Sequence, residues 1–428
     1  MSKKSESVQH ITEKAFLVFI NSDEGEDQYV EEELVGLCEA AKVEVCGMIR
    51  QRVDRPTSKF YLGSGKVDEI ANHVVDAQAD VVIFDCDLSA VQSRNLATVI
   101  KRPILDRTQL ILDIFAGRAR TREGQLQVEL AQLSYLMPRL MSFYTKFERQ
   151  KGGIGMRGPG ETKLEADRRL IRERISRLGD DLEEVRRQRI DQRKARRKNP
   201  FPFASIVGYT SAGKSTLMNK LSGTDLLADA MPFATLDPTT RKMELPDGYS
   251  VFLTDTVGFI RNLPTTLVAA FRSTLEEVTG ADIVLHLMDA SHPEWDIQRD
   301  AVMETLEVLK AEDKPMLTIF NKIDQLPPGT DLDTMLAEFP NSVAISALTG
   351  DGIPRLLEVL KEMVQEYLGY IVALVPYDQS RLVNDCYRFG RVLRADYRDD
   401  GILVEAELVA EMRGVMSAYE VDPAMLTA

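Results

Sequence analysis

No apolar run in the 428-residue sequence approaches the roughly 20 residues that a membrane-spanning helix needs. The longest, Ile283–Met288 with its flanks, is the length of a strand. The start, Met1-Ser-Lys-Lys-Ser-Glu-Ser, is polar with no apolar stretch behind it, so no secretory leader is expected. Four cysteines (Cys38, Cys46, Cys86, Cys386) are too few and wrongly spaced for a metal site or a disulfide framework. They read as small buried residues in a reducing cytosol. The four histidines, His10, His73, His286 and His292, form no ligand pattern, and no Ser-His-Asp arrangement is legible. Repeats of fixed period and low-complexity tracts are also missing. These absences leave an ordinary globular composition, 44% hydrophobic and 28% charged, at a length that suits two to four domains. The expected location is the cytoplasm, with peripheral membrane association as the alternative.

Net charge is −14, which taken alone argues against nucleic acid. The average hides a local excess. Residues 139–198 carry 19 Lys and Arg against 10 Asp and Glu, net +9, so the remainder is net −23. On charge alone, one basic element on an acidic body reads as a solvated helical face; because this basic run extends a predicted helical hairpin whose tip is also basic, RNA-phosphate contact is the better reading.

Residues 15–120 alternate strand-like and helix-like runs: Ala15–Ile20, a helical stretch through Val35–Ala41, Val43–Ile49, then Asp80–Asp85. A helix over Leu88–Ile100, the run Arg102–Asp106 and a helix over Gln109–Ala116 follow. This order predicts an α/β domain with a mainly parallel sheet over residues 1–121. Residues 122–199 change character. Leu126, Leu130, Leu133, Met137, Leu140, Tyr144 and Phe147 recur at heptad spacing, as do Ile171, Ile175, Leu178, Leu182 and Val185. Between them, Lys151-Gly-Gly-Ile-Gly-Met-Arg-Gly-Pro-Gly160 cannot be regular helix. The expectation is an antiparallel helical hairpin with a glycine-rich tip, kinked at Pro138. Its second helix should start at the Thr162-Lys-Leu-Glu165 capping box and end in the basic run Arg186–Lys198. Asn199-Pro-Phe-Pro202 marks a boundary. Residues 200–369 again suit one α/β domain. Residues 370–428 suit a small α+β module: strand Ile371–Val375, helix Ser380–Phe389, and two strands about Asp399-Asp-Gly401.

Strand Phe203–Val207 leads into Gly208-Tyr209-Thr210-Ser211-Ala212-Gly213-Lys214-Ser215, with a helix expected from Thr216. This is the phosphate-binding loop in its strand–loop–helix context. Its glycines let backbone amides face phosphates, and the helix N-terminus adds a positive dipole. Lys214 can reach the terminal phosphates, and the Ser215 hydroxyl can ligate Mg²⁺. Asp255-Thr256-Val257-Gly258 ends a strand 41 residues after Lys214. Asp255 can hold Mg²⁺ through water, and the Gly258 amide can meet a γ-phosphate. Asn321-Lys322-Ile323-Asp324 follows 66 residues later. Its aspartate can accept from the guanine N1–H and exocyclic amine. Adenine offers an acceptor where guanine has N1–H, so a buried carboxylate would be left unpaired. Ser346-Ala347-Leu348 can bring an amide to the guanine carbonyl. Order and spacing together read as a GTP site. For the second magnesium ligand, the residues alone leave Thr235, Thr239 and Thr240 open.

With these residues in hand, the chain resembles the HflX family of translational GTPases, related to the Obg group. The resemblance rests on Phe233-Ala234-Thr235-Leu236-Asp237-Pro-Thr239, Asp255-Thr-Val-Gly-Phe-Ile-Arg261, Gly152–Thr162, and Ile111-Leu-Asp-Ile-Phe-Ala116 with Arg118-Ala-Arg-Thr121. It covers nearly the whole chain, except that nothing is carried over to the C-terminal module beyond its size. It implies a GTPase domain that binds GTP, GDP and Mg²⁺, with Thr235 as the switch threonine. Lys214, Thr235 and Gly258 are then the catalytic positions, and Ser215 and Thr235 the metal ligands. It also implies binding to the large ribosomal subunit and splitting or rescue of stalled ribosomes. A monomer that does not bind DNA is expected. One departure is Ser211, where Asn is common. Phe259 stands where many GTPases place a water-orienting glutamine, so slow intrinsic hydrolysis is expected.

Other signals weigh less. Gly153-Ile-Gly-Met-Arg-Gly158 matches a dinucleotide fingerprint but follows a helix, so the required context fails. Gly63-Ser-Gly-Lys66 lacks the first glycine of a phosphate loop and reads as a turn at a helix start. The rival function is a GTP switch for a protein or membrane-surface partner, with the hairpin as a protein-binding coiled coil. A nucleotide or metabolite kinase is disfavoured by the Asn321–Asp324 motif.

Overall fold

The computed structural model describes residues 13–20, 28–140, 159–196, 201–222, 231–261 and 272–426. They divide into two compact units. One takes the chain up to Glu183 together with Met231–Leu236. The other takes the described chain from Glu184 onward, apart from that segment.

In the first unit, strands β1 (Lys14–Ile20), β2 (Glu44–Gln51), β3 (Val81–Phe84) and β4 (Ile104–Asp106) alternate with helices α1 (Gln28–Ala40), α2 (Ser64–Asp76), α3 (Ala90–Ile100) and α4 (Arg107–Arg118). The sheet is parallel, in the order β2-β1-β3-β4. The two apolar runs read from the sequence are its centre: Ala15–Phe19 and Val81–Phe84 are buried throughout. Phe16, Val18, Val82 and Phe84 pack with Ile70 and Val74 of α2 and Leu96 and Ile100 of α3. Two of these helix starts are fixed by side-chain caps. Ser89 and Gln92 form a reciprocal capping box on α3. Asp106 accepts from the Gln109 amide at 2.9 Å, so α4 begins at Arg107, two residues earlier than expected.

Thr121 caps α5 (Arg122–Leu136) by accepting from the Gly124 amide, which places an element boundary at residue 121. The expected kink appears as a single 3₁₀ turn, Met137–Arg139, around Pro138. Helix α6 runs over Pro159–Arg196, 38 residues. It starts three residues before the anticipated Thr162 cap, because proline at the first helical position carries a φ already set for the helix. Arg174 of α6 donates twice to Glu129 of α5, both at 2.7 Å, and the seam residue Leu178 is fully buried. Tyr144, Phe147, the tip Lys151–Gly158 and the end of the basic run lie outside the described residues.

The second unit holds a six-stranded sheet. Its elements are β5 (Phe203–Gly208), α7 (Lys214–Ser222), β6 (Thr239–Glu244), β7 (Ser250–Asp255), α8 (Arg272–Thr279), β8 (Ile283–Asp289), α9 (Trp295–Val308), β9 (Met316–Asn321), α10 (Leu332–Ala337), β10 (Ser342–Ala344) and α11 (Ile353–Tyr367). The order is β10-β9-β8-β5-β7-β6, and only β6 runs antiparallel to its neighbour. The same unit carries the C-terminal module: β11 (Gly369–Val375), α12 (Arg381–Arg388), β12 (Gly390–Arg398), β13 (Gly401–Leu408) and α13 (Ala410–Met416). The sequence reading anticipated its strands and first helix but not α13. The Tyr249 hydroxyl donates to Glu407 of this module and accepts from Gln365 Nε2 at 2.9 Å. The Arg391 guanidinium lies 4.6 Å from the centre of the Tyr249 ring.

Candidate nucleotide site

The motifs of the second unit converge at the carboxyl ends of β5, β7 and β9, where ligands of open parallel sheets bind. The phosphate loop leaves β5 at Gly208. A Cβ there would lie 2.2 Å from the Leu287 carbonyl oxygen on the next strand, so only glycine fits. Gly213 has φ +97°, and a Cβ on it would meet Asn321 Nδ2 at 2.4 Å. Helix α7 begins at Lys214 itself, two residues before the expected Thr216, which puts Lys214 and Ser215 in its first turn. Ser211 stands at φ +63°. Asn tolerates the left-handed region better than Ser does, which gives a physical reason for the more usual residue at that position.

Lys214 is buried, and its Nζ donates to the carbonyls of Gly208 at 3.0 Å and Tyr209 at 2.7 Å. Burial pulls its amine down to about 8, and Asp255 pulls the other way. An ammonium held inside the loop on such terms gains from an incoming phosphate. Ser215 Oγ donates to Asp255 Oδ2 at 2.8 Å. A hydroxyl and a carboxylate side by side are the hard oxygen donors that Mg²⁺ prefers, so this pair fits the ion that the fold implies.

Gly258 is packed onto the loop: a Cβ would lie 2.9 Å from Thr210 Cγ2 and 3.1 Å from Lys214 Nζ. The Thr210 amide donates to the Phe259 carbonyl at 2.7 Å, and the Phe259 amide to Gly208 at 3.1 Å. Phe259 is itself buried. The Arg261 amide donates to the Tyr209 hydroxyl at 2.9 Å. Thr256 is buried, its hydroxyl donating to the Ile206 carbonyl at 2.6 Å. Val257 is buried beside it.

Asn321 joins two loops. Its Nδ2 donates to the Ala212 carbonyl at 2.8 Å, and its Oδ1 accepts from the Ala347 amide at 2.9 Å. Ser346 is buried, and its hydroxyl accepts from the Thr349 amide at 3.1 Å. Leu348 is 71% exposed. Ile323 and Asp324 lie in a 3₁₀ turn. Asp324 is exposed, which corrects the expectation of a buried carboxylate. Discrimination against adenine by an unpaired carboxylate therefore requires the base itself to cover Asp324.

The segment Phe233-Ala234-Thr235-Leu236 belongs to the first unit. Phe233 is buried edge-on against Phe115 of α4, with ring centres 4.7 Å apart. Its φ of +57° is costly for an aromatic residue and is held by that packing. Leu236 is buried, and Thr235 is half-buried. Asp237 belongs to the second unit. Thr240 sits in β6 with its hydroxyl 2.9 Å from that of Thr254.

Several features had no signature in the sequence: the Tyr209–Arg261 contact, the seat of Phe233, and an ion pair between Lys322 and Asp289 at 2.6 Å. An aspartate ending an apolar strand was visible, but its neighbour depends on the order of the strands.

A family model described as GTP-binding GTPase N-terminal matches residues 28–116, and one described as GTP-binding GTPase Middle Region matches 118–196. One described as 50S ribosome-binding GTPase matches 203–322. The chain is 44% identical to GTPase HflX of Lacrimispora saccharolytica over 409 residues, covering 95% of this chain and 96% of the relative. It is likewise 44% identical to GTPase HflX of Escherichia coli, covering 91% and 92%. The chain belongs to the HflX family of GTPases. Like its HflX relatives it is a GTPase, binding GTP and GDP. Among solved structures, a GTP-binding protein from Sulfolobus solfataricus in complex with GDP is 25% identical, covering 82% of this chain and 99% of that one, with a TM-score of 0.44. Among the described residues, no helix is long and apolar enough to cross a membrane.

In the first unit, the Gly63–Lys66 segment is the start of α2. Lys66 Nζ pairs with Glu69 at 2.8 Å, and neither glycine is crowded. Cys38 and Cys86 are pushed up to about 12 by burial, and Cys386 to about 11, so all three stay thiols.

Proposed function

We propose that this HflX-family GTPase binds the large ribosomal subunit through ribosomal RNA and splits or rescues stalled ribosomes. The observation that carries the reading is helix α6, 38 residues long. Arg169, Arg172, Arg177 and Arg187 are exposed along it in a chain of net charge −14. Counterion release from RNA phosphates gives such a row its affinity. The family model that matches residues 203–322 is described as a 50S ribosome-binding GTPase, which supports the same partner. The tip Gly152–Gly160 extends the contact, with Lys151 and Arg157 meeting phosphates. The protein acts as a monomer in the cytoplasm, where its partner is.

Within the GTPase domain, Gly208–Ser215 cradles the phosphates and Lys214 neutralises the terminal ones. Ser215 and Thr235 would hold Mg²⁺, which when bound would supply charge neutralisation to the phosphates. The Gly258 amide donates to the γ-phosphate. Asn321 braces the two loops, Asp324 reads the guanine N1 and amine, and Ser346–Leu348 reads the carbonyl oxygen. Phe259 has no group to orient water, so intrinsic turnover is slow and the ribosome supplies what is missing.

Sedimentation through sucrose with purified subunits tests the reading. A GTP analogue should retain the protein on large subunits, GDP should not, and binding should fall steeply with salt. Binding that is insensitive to salt, or that is lost when the subunits are stripped of protein, would instead favour a coiled-coil contact with a protein.

A further inference from the structure

Asp289 closes β8 in direct register with Asn321 of β9. Its carboxylate is divided between two partners. Oδ1 accepts from the Ser291 amide at 3.0 Å and the Ser291 hydroxyl at 2.6 Å, which fixes the orientation of the group. Oδ2 accepts from Lys322 Nζ at 2.6 Å. The Asp289 side chain is 12% exposed and that of Lys322 27%, so this ion pair is shielded on its carboxylate side.

Lys322 stands between Asn321 and Asp324, and its backbone is left-handed, φ +64°. That conformation is uncommon outside glycine and asparagine and persists where the surroundings enforce it. Here the Lys322 carbonyl accepts from the Gln325 amide, and the Ile323 amide donates to the Ile345 carbonyl. The lysine is therefore fixed at both ends, by its turn and by Asp289. Its methylene stem spans from the end of β9 to the end of β8, beside the corner where Asp324 emerges. A lysine in water would keep its rotamers; this one has already given them up.

We propose that Asp289 is a positioning residue of the guanine pocket: by anchoring the ammonium, it holds the Lys322 stem as a preformed apolar face for the purine ring. The proposal rests on the assignment of Asn321–Asp324 as the base pocket. Asp289 itself touches no nucleotide. A face for the ring does not sense the exocyclic amine, so Asp289 affects guanosine and inosine diphosphates alike, whereas Asp324 separates them.

The test is a double-mutant cycle on the full chain, read by displacement of a fluorescent GDP, with melting temperatures alongside. Asp289→Asn should weaken GDP about tenfold, mainly by faster release, because ordering the lysine is then charged to binding. Inosine diphosphate should weaken by the same factor. Lys322→Met keeps the length of the stem without its charge and should show the same loss for both nucleotides. In that background Asp289→Asn should add nothing. A purely structural Asp289 would give additive losses and equal falls in melting temperature in both backgrounds, which overturns the proposal. Native affinity in Lys322→Met also overturns it, whether or not Asp289→Asn folds. An Asp324→Asn control separates the two layers. If Asp324→Asn leaves GDP affinity unchanged, the base-pocket assignment and the proposal fail together. If it weakens GDP while Asp289→Asn does not, only the proposal fails.

Discussion

Replacing Asn321 by Ala removes one side chain and disconnects two loops. Asn321 is 2% exposed, and its side-chain amide fills both its roles with good geometry, donating to Ala212 at 2.8 Å and accepting from Ala347 at 2.9 Å. Ala212 and Ala347 are themselves buried, so the variant leaves one carbonyl and one amide without a partner and without ready access to water. Each such loss costs ~1–3 kcal/mol, giving about 3 kcal/mol for the pair. In a domain of this size that lowers the melting temperature by about 6–12 °C. The loops must also be brought into position by the nucleotide, so GDP affinity falls by up to ~100-fold. Thermal melts with and without saturating GDP, plus a direct affinity measurement, read both effects. The variant should recover part of its stability with GDP, in proportion to the remaining affinity. A melting temperature within about 2 °C of the parent, with GDP affinity unchanged, would refute the bracing role of Asn321.

Three further outcomes follow from the site. Asp324→Asn should weaken GTP and strengthen xanthosine triphosphate, whose carbonyl suits an amide donor where guanine carries its amine; unchanged GTP affinity in competition binding removes Asp324 from the pocket. In the free protein Lys214 lies at about 8, below its ordinary 10.5, because it is buried. The unfolded chain thus binds more protons between these values, so stability of the free protein rises with pH across that window, while phosphates restore the ammonium. GDP binding should therefore take up protons at pH 8–9 and weaken as pH rises through 8, as calorimetry in two buffers of different ionisation enthalpy would show. Ser211→Asn relieves a left-handed serine and should raise the melting temperature of the free protein by ~1–3 °C; a fall would mean that the serine hydroxyl matters more than its backbone.

Much of the site was legible because phosphate and guanine recognition depends on residue types at fixed offsets from strand ends. Gly208, Gly213 and Gly258 are each required by a close approach, and Asn321 and Ser346 by a specific backbone partner. Long apolar runs gave the central strands for the same reason: Ala15–Phe19 and Ile283–Met288 are buried on both faces of their sheets. Helix starts shifted by two or three residues where Asp106, Pro159 or the phosphate loop set the first turn. Contacts between distant segments were not readable. Phe233 on Phe115, Asp289 on Lys322 and Tyr249 on Glu407 depend on which elements are neighbours. Local pattern does not encode that. The exposure of Asp324 was missed because its motif specifies what it bonds, not whether the free protein covers it.

The most direct test of the central claim is single-turnover GTP hydrolysis with and without purified large ribosomal subunits. Phe259 is buried and carries no group to hold water, so hydrolysis by the protein alone should be slow. Large subunits should accelerate it by orders of magnitude, and rising salt should abolish the stimulation by breaking the RNA contact. Hydrolysis as fast alone as with large subunits would contradict the account.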